Sequence, residues 1–367
     1  MARVTLQTIA DAVGVSRMTV SNAFSRPDQL SAAMRDRILA VAEQLGYVGP
    51  DPTARALASG TTATVGLLMS DTLQFTLTDE VAMTFIAAIA DELAPTGLAL
   101  TLLSAAPREG IVPARDVAMD GALVYSCDTT SPAVGWLMRR RLPLVFVDQP
   151  PTPGITSVNI DDRSGARAAA EHLLSLGHRR IGIVTSGFGG EYGVLDNPRT
   201  AALAYVESER MLGWLDALDA AGVPPTVVRV PHGDPQEIGY TGAETLLGAG
   251  GAPTAVLALS DAIARGVISA LDDKGFKVPA DVSVVGFDDN PVGRRTRPAL
   301  TTVRQDVDAK GRAAVRSLTS AIERAKKHPG DRARHVVLPT ELVVRDSTAA
   351  TTGTPAKASR RRQDEQR

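Results

Sequence analysis

The chain has 367 residues, 44% of them hydrophobic and 22% charged, which supplies more than one core and is too long for a single ordinary domain. A formal net charge of −2 and one cysteine, Cys127, exclude a strongly basic protein and an intramolecular disulfide framework. No run is long enough to span a membrane. The opening residues, which mix Arg3, Thr5, Gln7 and Asp11, are not a secretory leader, so the expected location is the cytoplasm.

The first sixty residues read as helices only. Thr5 stands as a cap before the apolar stripe Leu6, Ile9, Ala10 and Val13. Gly14 suits a tight turn, and Ser16 caps a second helix to about Phe24, with Val20 and Ala23 facing inward. Two helices joined by little more than Val13–Gly14–Val15 match a helix-turn-helix, whose second helix enters the DNA major groove. Charge adds little, because six arginines face five acids from Met1 to Gly60; the pattern carries the reading. A third helix runs from Ser31 to Gly46 with Met34, Ile38, Leu39, Val41, Ala42 and Leu45. Asp51 and Pro52 then open a fourth, of about two turns, to Ser59; so short a helix is marginal alone.

From Thr64 the chain alternates short β-branched or leucine-rich runs with helical stretches, in two successive blocks. Repeated βα units predict parallel sheets covered on both faces, hence two lobes of like fold. The lobes are expected to join near 159–161 and 289–291, where turn residues cluster. The helix from Glu80 to Leu93 turns Ala82, Ile86, Ile89 and Leu93 to its sheet, and Val81, Phe85 and Ala88 widen that stripe enough for a subunit contact. Beyond Ser347 the composition cannot bury a core and reads as a basic tail. Five histidines without metal-ligand spacing, and the lack of a Gly-x-Ser-x-Gly elbow or phosphate loop, point away from catalysis, metal and cofactor.

Several motifs resemble the lactose-repressor (LacI/GalR) family of transcription regulators. They are the run from Thr5 to Phe24, Val41-Ala-Glu-Gln-Leu-Gly-Tyr, Ala54-Arg-Ala-Leu-Ala-Ser-Gly, Leu259-Ser-Asp-Ala-Ile-Ala-Arg-Gly, and the segments 278–289 and 298–306. The resemblance implies an all-α helix-turn-helix headpiece (1–48), a hinge helix and linker (49–61), and a two-lobed α/β core like periplasmic binding proteins (62–346). That core has doubly wound parallel sheets, binds an effector and dimerises; a disordered basic tail (347–367) follows. The implied function is a sequence-specific DNA-binding regulator, most simply a repressor, controlled by a small molecule. A solute-binding protein of the same two-lobed shape is the alternative, but it has no use for a headpiece.

The resemblance also places candidate residues. Arg17, Met18 and Asn22 would read bases, through guanine, a thymine methyl and adenine respectively. Thr5, Ser16, Thr19, Ser21 and Ser31 would contact phosphates or simply cap helices. Leu57 would wedge into the minor groove of a near-palindromic double-stranded operator bound by a homodimer. Asp148, Arg210, Asp261 and Asp288 would line a cleft at the carboxyl ends of the strands, where charge-assisted hydrogen bonds suit a sugar and would also suit a nucleobase or nucleoside. Phe75 would stack on the ligand or merely pack. Two departures from the family are visible: a short connection between Leu103 and Asp120, and a long insert at 186–209 whose Phe188, Glu191, Tyr192 and Asp196 border the cleft.

Overall fold

The computed structural model describes residues 4–49, 51–70, 72–106, 110, 112–201, 204–249, 251–327 and 333–351. They fall into two units, split at Ala63–Thr64.

The first unit is helical: α1 (Leu6–Val13), α2 (Arg17–Ser25), α3 (Ala32–Gln44) and α4 (Pro52–Ser59). Ile9, Ala10, Val13, Val20, Ala23, Ile38 and Ala42 form one small core between the first three. Gly14 ends α1 in the left-handed region, at φ 78°, where a side chain would be strained.

The second unit begins with β1 (Thr64–Met69), α5 (Leu73–Thr76), α6 (Glu80–Leu93), β2 (Ala99–Ser104), α7 (Pro113–Asp116), β3 (Gly121–Tyr125), α8 (Pro132–Arg139), β4 (Leu144–Val147) and β5 (Thr156–Ile160). It continues with α9 (Asp162–Ser175), β6 (Ile181–Gly187), β7 (Gly193–Val194), α10 (Tyr205–Ala220), β8 (Thr226–Pro231), α11 (Pro235–Gly248), β9 (Ala255–Ala258) and α12 (Asp261–Asp273). It closes with β10 (Ser283–Asp288), α13 (Pro291–Arg295), β11 (Thr301–Gln305), α14 (Val307–Lys327), β12 (His335–Leu338) and β13 (Thr340–Val343).

Two sheets result. Lobe 1 has the order β12-β5-β4-β3-β1-β2, parallel throughout. Lobe 2 has the order β13-β11-β10-β9-β6-β8-β7, parallel except for β13 and β7. Helices cover both faces of each, which is why β1, β3 and β4 read as unbroken apolar runs rather than alternating ones.

The expected α/β architecture is observed, with three corrections of detail. The chain crosses between lobes at β5–α9, β11–α14 and β12–β13. Near 289–291 it stays in lobe 2, because α13 packs on α12 and leads into β11 of the same sheet. Phe85 and Ala88 of α6 are buried against their own chain: α14 packs on α6, and Gly311 of α14 lies against Ala88. That part of the stripe is not free for a subunit contact. Finally, the core does not stop at 346. Ser347 is fully buried; its Oγ donates to the Val284 carbonyl (2.6 Å) and accepts from the Thr301 amide (2.8 Å). The Thr351 amide reaches the Leu176 carbonyl. Residues 347–351 therefore belong to lobe 2, held by backbone groups that the sheet leaves unpaired. The rest of the expected tail, 352–367, lies outside the described residues.

Helices α11 and α12 cross at a reciprocal glycine notch. A Cβ on Gly239 would stand 2.0 Å from the Ile263 carbonyl oxygen, and one on Gly266 2.1 Å from that of Gln236. The obstruction is backbone, so it cannot swing aside. We expect Gly239→Ala to destabilise the protein by about 1–3 kcal/mol through forced separation of the helices. Gly135→Ala, in α8 with only the tip of Arg139 within 4 Å, should instead gain about 0.5–1 kcal/mol of helix propensity. Urea midpoints of the two variants check this; equal shifts would contradict the notch.

Candidate functional site

In the first unit, the hydroxyl residues sit at helix starts. Thr5 Oγ1 accepts from the Thr8 amide (3.3 Å), Ser16 Oγ from Thr19 (3.1 Å) and Ser31 Oγ from Met34 (3.4 Å). Each saturates a donor that the first turn would leave open. Capping is thus what these three do within the fold, and it leaves all three exposed. Thr19 and Ser21 lie half-buried on α2. Arg17 is exposed and Met18 keeps 69% of its surface. The Asn22 amide donates to Gln29 Oε1 (3.2 Å), so it arrives already oriented. The inward face of α2, Val20 and Ala23, fixes which side these residues present.

Helix α4 is capped at both ends. Asp51 Oδ1 accepts from the Thr53 and Ala54 amides (2.9 and 3.1 Å), and Gly60 closes it at φ 69°. Leu57 stands on it 82% exposed.

The second site lies where the carboxyl ends of β4 and β10 face the crossings between lobes. Asp148 and Asp288 end those strands with φ of 54° and 114°, and Asp289 follows at 52°. Non-glycine residues rarely adopt this backbone, and such strain gathers at functional sites. A buried polar chain joins the lobes here. Lys310 Nζ donates to Asp148 Oδ2 (2.5 Å) and to Gln305 Oε1 (2.9 Å). Gln305 Nε2 donates to Asp288 Oδ1 (2.7 Å). Arg210 pairs with that same oxygen (3.3 Å), donates from Nε to Asp162 Oδ1 (2.8 Å) and from Nη1 to the Leu259 carbonyl (2.6 Å). The Arg210 guanidinium also lies 3.5 Å from the centre of the Phe287 ring, and Lys310 Nζ stands 5.6 Å from that of Tyr125. Asp148, Arg210 and Asp288 are therefore brought together as expected.

Asp261 is not brought to the cleft. Its oxygens accept from the Thr302 hydroxyl (2.5 Å) and the Asn290 amide (3.0 Å), and it has no exposed surface. It ties α12 to β11 and to the loop after β10, inside lobe 2. The side chain of Phe75 lies outside what the structure describes. Arg229 of β8, outside the insert, anchors it: Arg229 is buried, pairs with Glu207 (2.8 Å) and donates to the Gly189 and Glu191 carbonyls. Phe188 stacks on His232 at 3.9 Å, and Tyr192 stands 5.6 Å from the Arg229 guanidinium. This region is an organised rim on lobe 2; neither Glu191 nor Asp196 joins the polar chain.

Lys310, Gln305, Asp162 and Gln149 went unread in the sequence, although Lys310 carried a signal. It occupies the core stripe of α14 that Val307, Ala314, Leu318 and Ile322 continue. A buried cation in the first turn of a helix also opposes the helix dipole, and only a partner such as Asp148 offsets that.

Burial pushes Asp162 up to about 6 against the pull of Arg210, and pushes Asp288 up to about 6 in the same way. Burial, reinforced by the Asp288 charge, raises Asp261 well above the usual carboxylate range. At Asp289 burial pushes upward too, but Arg304, Arg345 and Arg294 together hold the carboxyl low.

The same chain matches two family profiles: "Bacterial regulatory proteins, lacI family" over residues 5–49, and "Periplasmic binding protein-like domain" over 170–348. An HTH-type transcriptional regulator of Mycolicibacterium smegmatis is 38% identical over 329 residues, 85% of this chain and 89% of that protein. Among solved structures, the lac repressor dimer bound to operator and the anti-inducer ONPF superposes with a TM-score of 0.75, at 26% identity, over 95% of this chain and 100% of that one. The transcriptional regulator CelR in complex with cellobiose gives 0.68, at 27% identity, over 94% and 100%. Fold and site thus define a DNA-binding transcriptional regulator rather than an enzyme. The chain belongs to the lacI family of bacterial regulatory proteins. No helix among the described residues is long and apolar enough to cross a membrane.

The raised Asp162 predicts a pH signature. A carboxyl near 6 in the folded protein and at about 4 when unfolded makes the folded state bind more protons between those values. Its contribution is present below about pH 4 and is lost as pH rises through 6. Compared with Asp162→Asn, the effector-free wild type should therefore lose relative stability from pH 5 to pH 7 in urea unfolding. Parallel pH profiles would contradict the raised carboxyl.

Proposed function

We propose that the protein is a cytoplasmic repressor that binds a near-palindromic double-stranded operator as a homodimer and whose operator affinity is set by a sugar or related polar metabolite in the cleft between its lobes. The exposed Arg17 and Met18 on a helix whose inward face is fixed carry the DNA half of this reading. Arg17 is suited to guanine, Met18 to a thymine methyl and Asn22 to adenine; exposed Thr5, Ser16 and Ser31, with Thr19 and Ser21, are placed for the phosphates. Homodimerisation is supported by α4. Eight residues cannot hold a helix in water by themselves, and a mate across a dimer axis would supply the missing packing. A structural neighbour crystallised as a dimer on its operator supports the same arrangement.

The effector half rests on the buried polar chain. Structural neighbours solved with cellobiose and with ONPF support a carbohydrate-like ligand. The ligand must bind the DNA-competent and DNA-incompetent states with different affinity for any switching to occur. Arg210 is a poor residue with which to test this. Removing it strands Asp162 and Asp288 in the interior, at about 3–5 kcal/mol for a broken buried pair, and folding would suffer before ligand response could be read.

Two DNA experiments test the reading. In binding-site selection, Arg17→Ala should relax preference at one base pair and lose about 1–3 kcal/mol of affinity; an unchanged consensus would remove Arg17 from base reading. Leu57→Ser should lower both operator bending and affinity in bend-angle gel shifts. Equal bend angles for wild type and variant would eliminate the wedge.

A further inference from the structure

The long insert has its own route to lobe 1. Its first half is anchored on lobe 2, where Phe188 stacks on His232 and Arg229 of β8 donates to the Gly189 and Glu191 carbonyls. Arg229 also pairs with Glu207, in the first turn of α10. Both members of that pair are buried, so parting the loop from the start of α10 would leave a charge without its partner in the interior. Two residues before Glu207, Tyr205 reaches out of lobe 2. Its hydroxyl oxygen accepts from Asn159 Nδ2 (3.3 Å), near the end of β5 in lobe 1. The rest of the Asn159 amide is engaged by the Gln149 backbone: Oδ1 accepts from the Gln149 amide (3.2 Å), and Nδ2 donates to the Gln149 carbonyl (2.9 Å). That exchange fixes which end of the Asn159 amide faces Tyr205, so the phenol is the acceptor. We infer that Tyr205 is a positioning residue through which the insert acts on lobe 1, setting how firmly Asn159 clasps the Gln149 backbone; its use as a second input to the protein, beside the cleft, rests on the regulator reading above.

The strength of the link suits a relay rather than a brace. Lys310 and Arg210 hold the lobe junction with charged groups, whose hydrogen bonds are roughly twice as strong as neutral ones. The Tyr205–Asn159 bond is single, neutral and long, and Tyr205 is only half-buried. Such a bond opens readily and answers a small displacement of α10. It is also separate from the polar chain, because neither Tyr205 nor Asn159 shares a hydrogen bond or ion pair with Lys310, Gln305 or Arg210. A push on the exposed Phe188 therefore has a path to Gln149 that runs through Arg229, Glu207, Tyr205 and Asn159 without breaking a buried ion pair.

The test is amide hydrogen exchange on the full-length protein, read by mass spectrometry at residues 148–149; Pro150 and Pro151 follow and bring no amide. Tyr205→Phe keeps the ring and removes the acceptor. It should speed exchange at 148–149 by about threefold to tenfold, the range one neutral hydrogen bond contributes, and leave β9 (Ala255–Ala258) unchanged. Phe188→Ala loosens the insert at an exposed position. It should speed the same amides when Tyr205 is present and add nothing in the Tyr205→Phe background. That loss of additivity separates a relay from a contact that merely stabilises its surroundings. Unchanged exchange at 148–149 in either single variant would overturn the inference. So would an equal effect of Phe188→Ala with and without the Tyr205 hydroxyl, or an acceleration shared by β9, which would mean general loosening. Operator protection by the wild type is scored separately: its failure would strike the regulator reading and leave the relay standing.

Discussion

Lys310 is the group on which the second unit's arrangement turns. An ammonium ion buried at the start of α14 cannot remain without compensation. Asp148, from lobe 1, supplies the opposite charge, and Gln305, at the crossing from lobe 2, supplies a carbonyl oxygen. Because Gln305 is an amide, it accepts from Lys310 and donates to Asp288 at once. Through Asp288 the chain reaches Arg210 and Asp162. Six buried side chains thereby depend on one another across the place where the lobes join, and moving one lobe changes the partners of the other.

The two units divide the work by different physics. In the helical unit the hydroxyls at helix starts serve the backbone, and the outward face of α2 is what the small core leaves over. In the α/β unit, strands end in left-handed aspartates whose strain and burial are tolerated because the polar chain compensates them. Asp261 marks the edge of that site: its carboxyl is used up within lobe 2 by Thr302 and Asn290, which makes it part of the frame rather than the cleft.

Much of this was legible in the sequence because the elements are strongly periodic. The boundaries of α6 match the expected helix from Glu80 to Leu93, and Val20 and Ala23 face inward as their spacing demanded. Asp148, Arg210 and Asp288 could be placed because motifs fix them relative to strands. What escaped depends on long-range pairing. The crossing at 305–307 sends the chain back to lobe 1 without any Gly or Pro signal. Residues 347–351 look like tail by composition, yet Ser347 completes hydrogen bonds at the start of β10 and β11. Gln305 and Lys310 acquire meaning only from partners far away in sequence, such as Asp148, 162 residues from Lys310.

The most direct measurement is a double-mutant cycle between the buried cation near one end of the polar chain and the carboxyl at the other, Lys310→Met and Asp162→Asn, read as unfolding free energy in urea without effector. The pair shares no hydrogen bond or ion pair in the structure, although the Lys310 charge acts on the Asp162 carboxyl through space; uncoupled sites would add to within about 0.5 kcal/mol. A continuous chain predicts a coupling of about 1 kcal/mol or more, because loss of either charge changes the balance that Gln305, Asp288 and Arg210 pass along. Strict additivity would contradict the account, leaving two local ion pairs that happen to lie near one cleft.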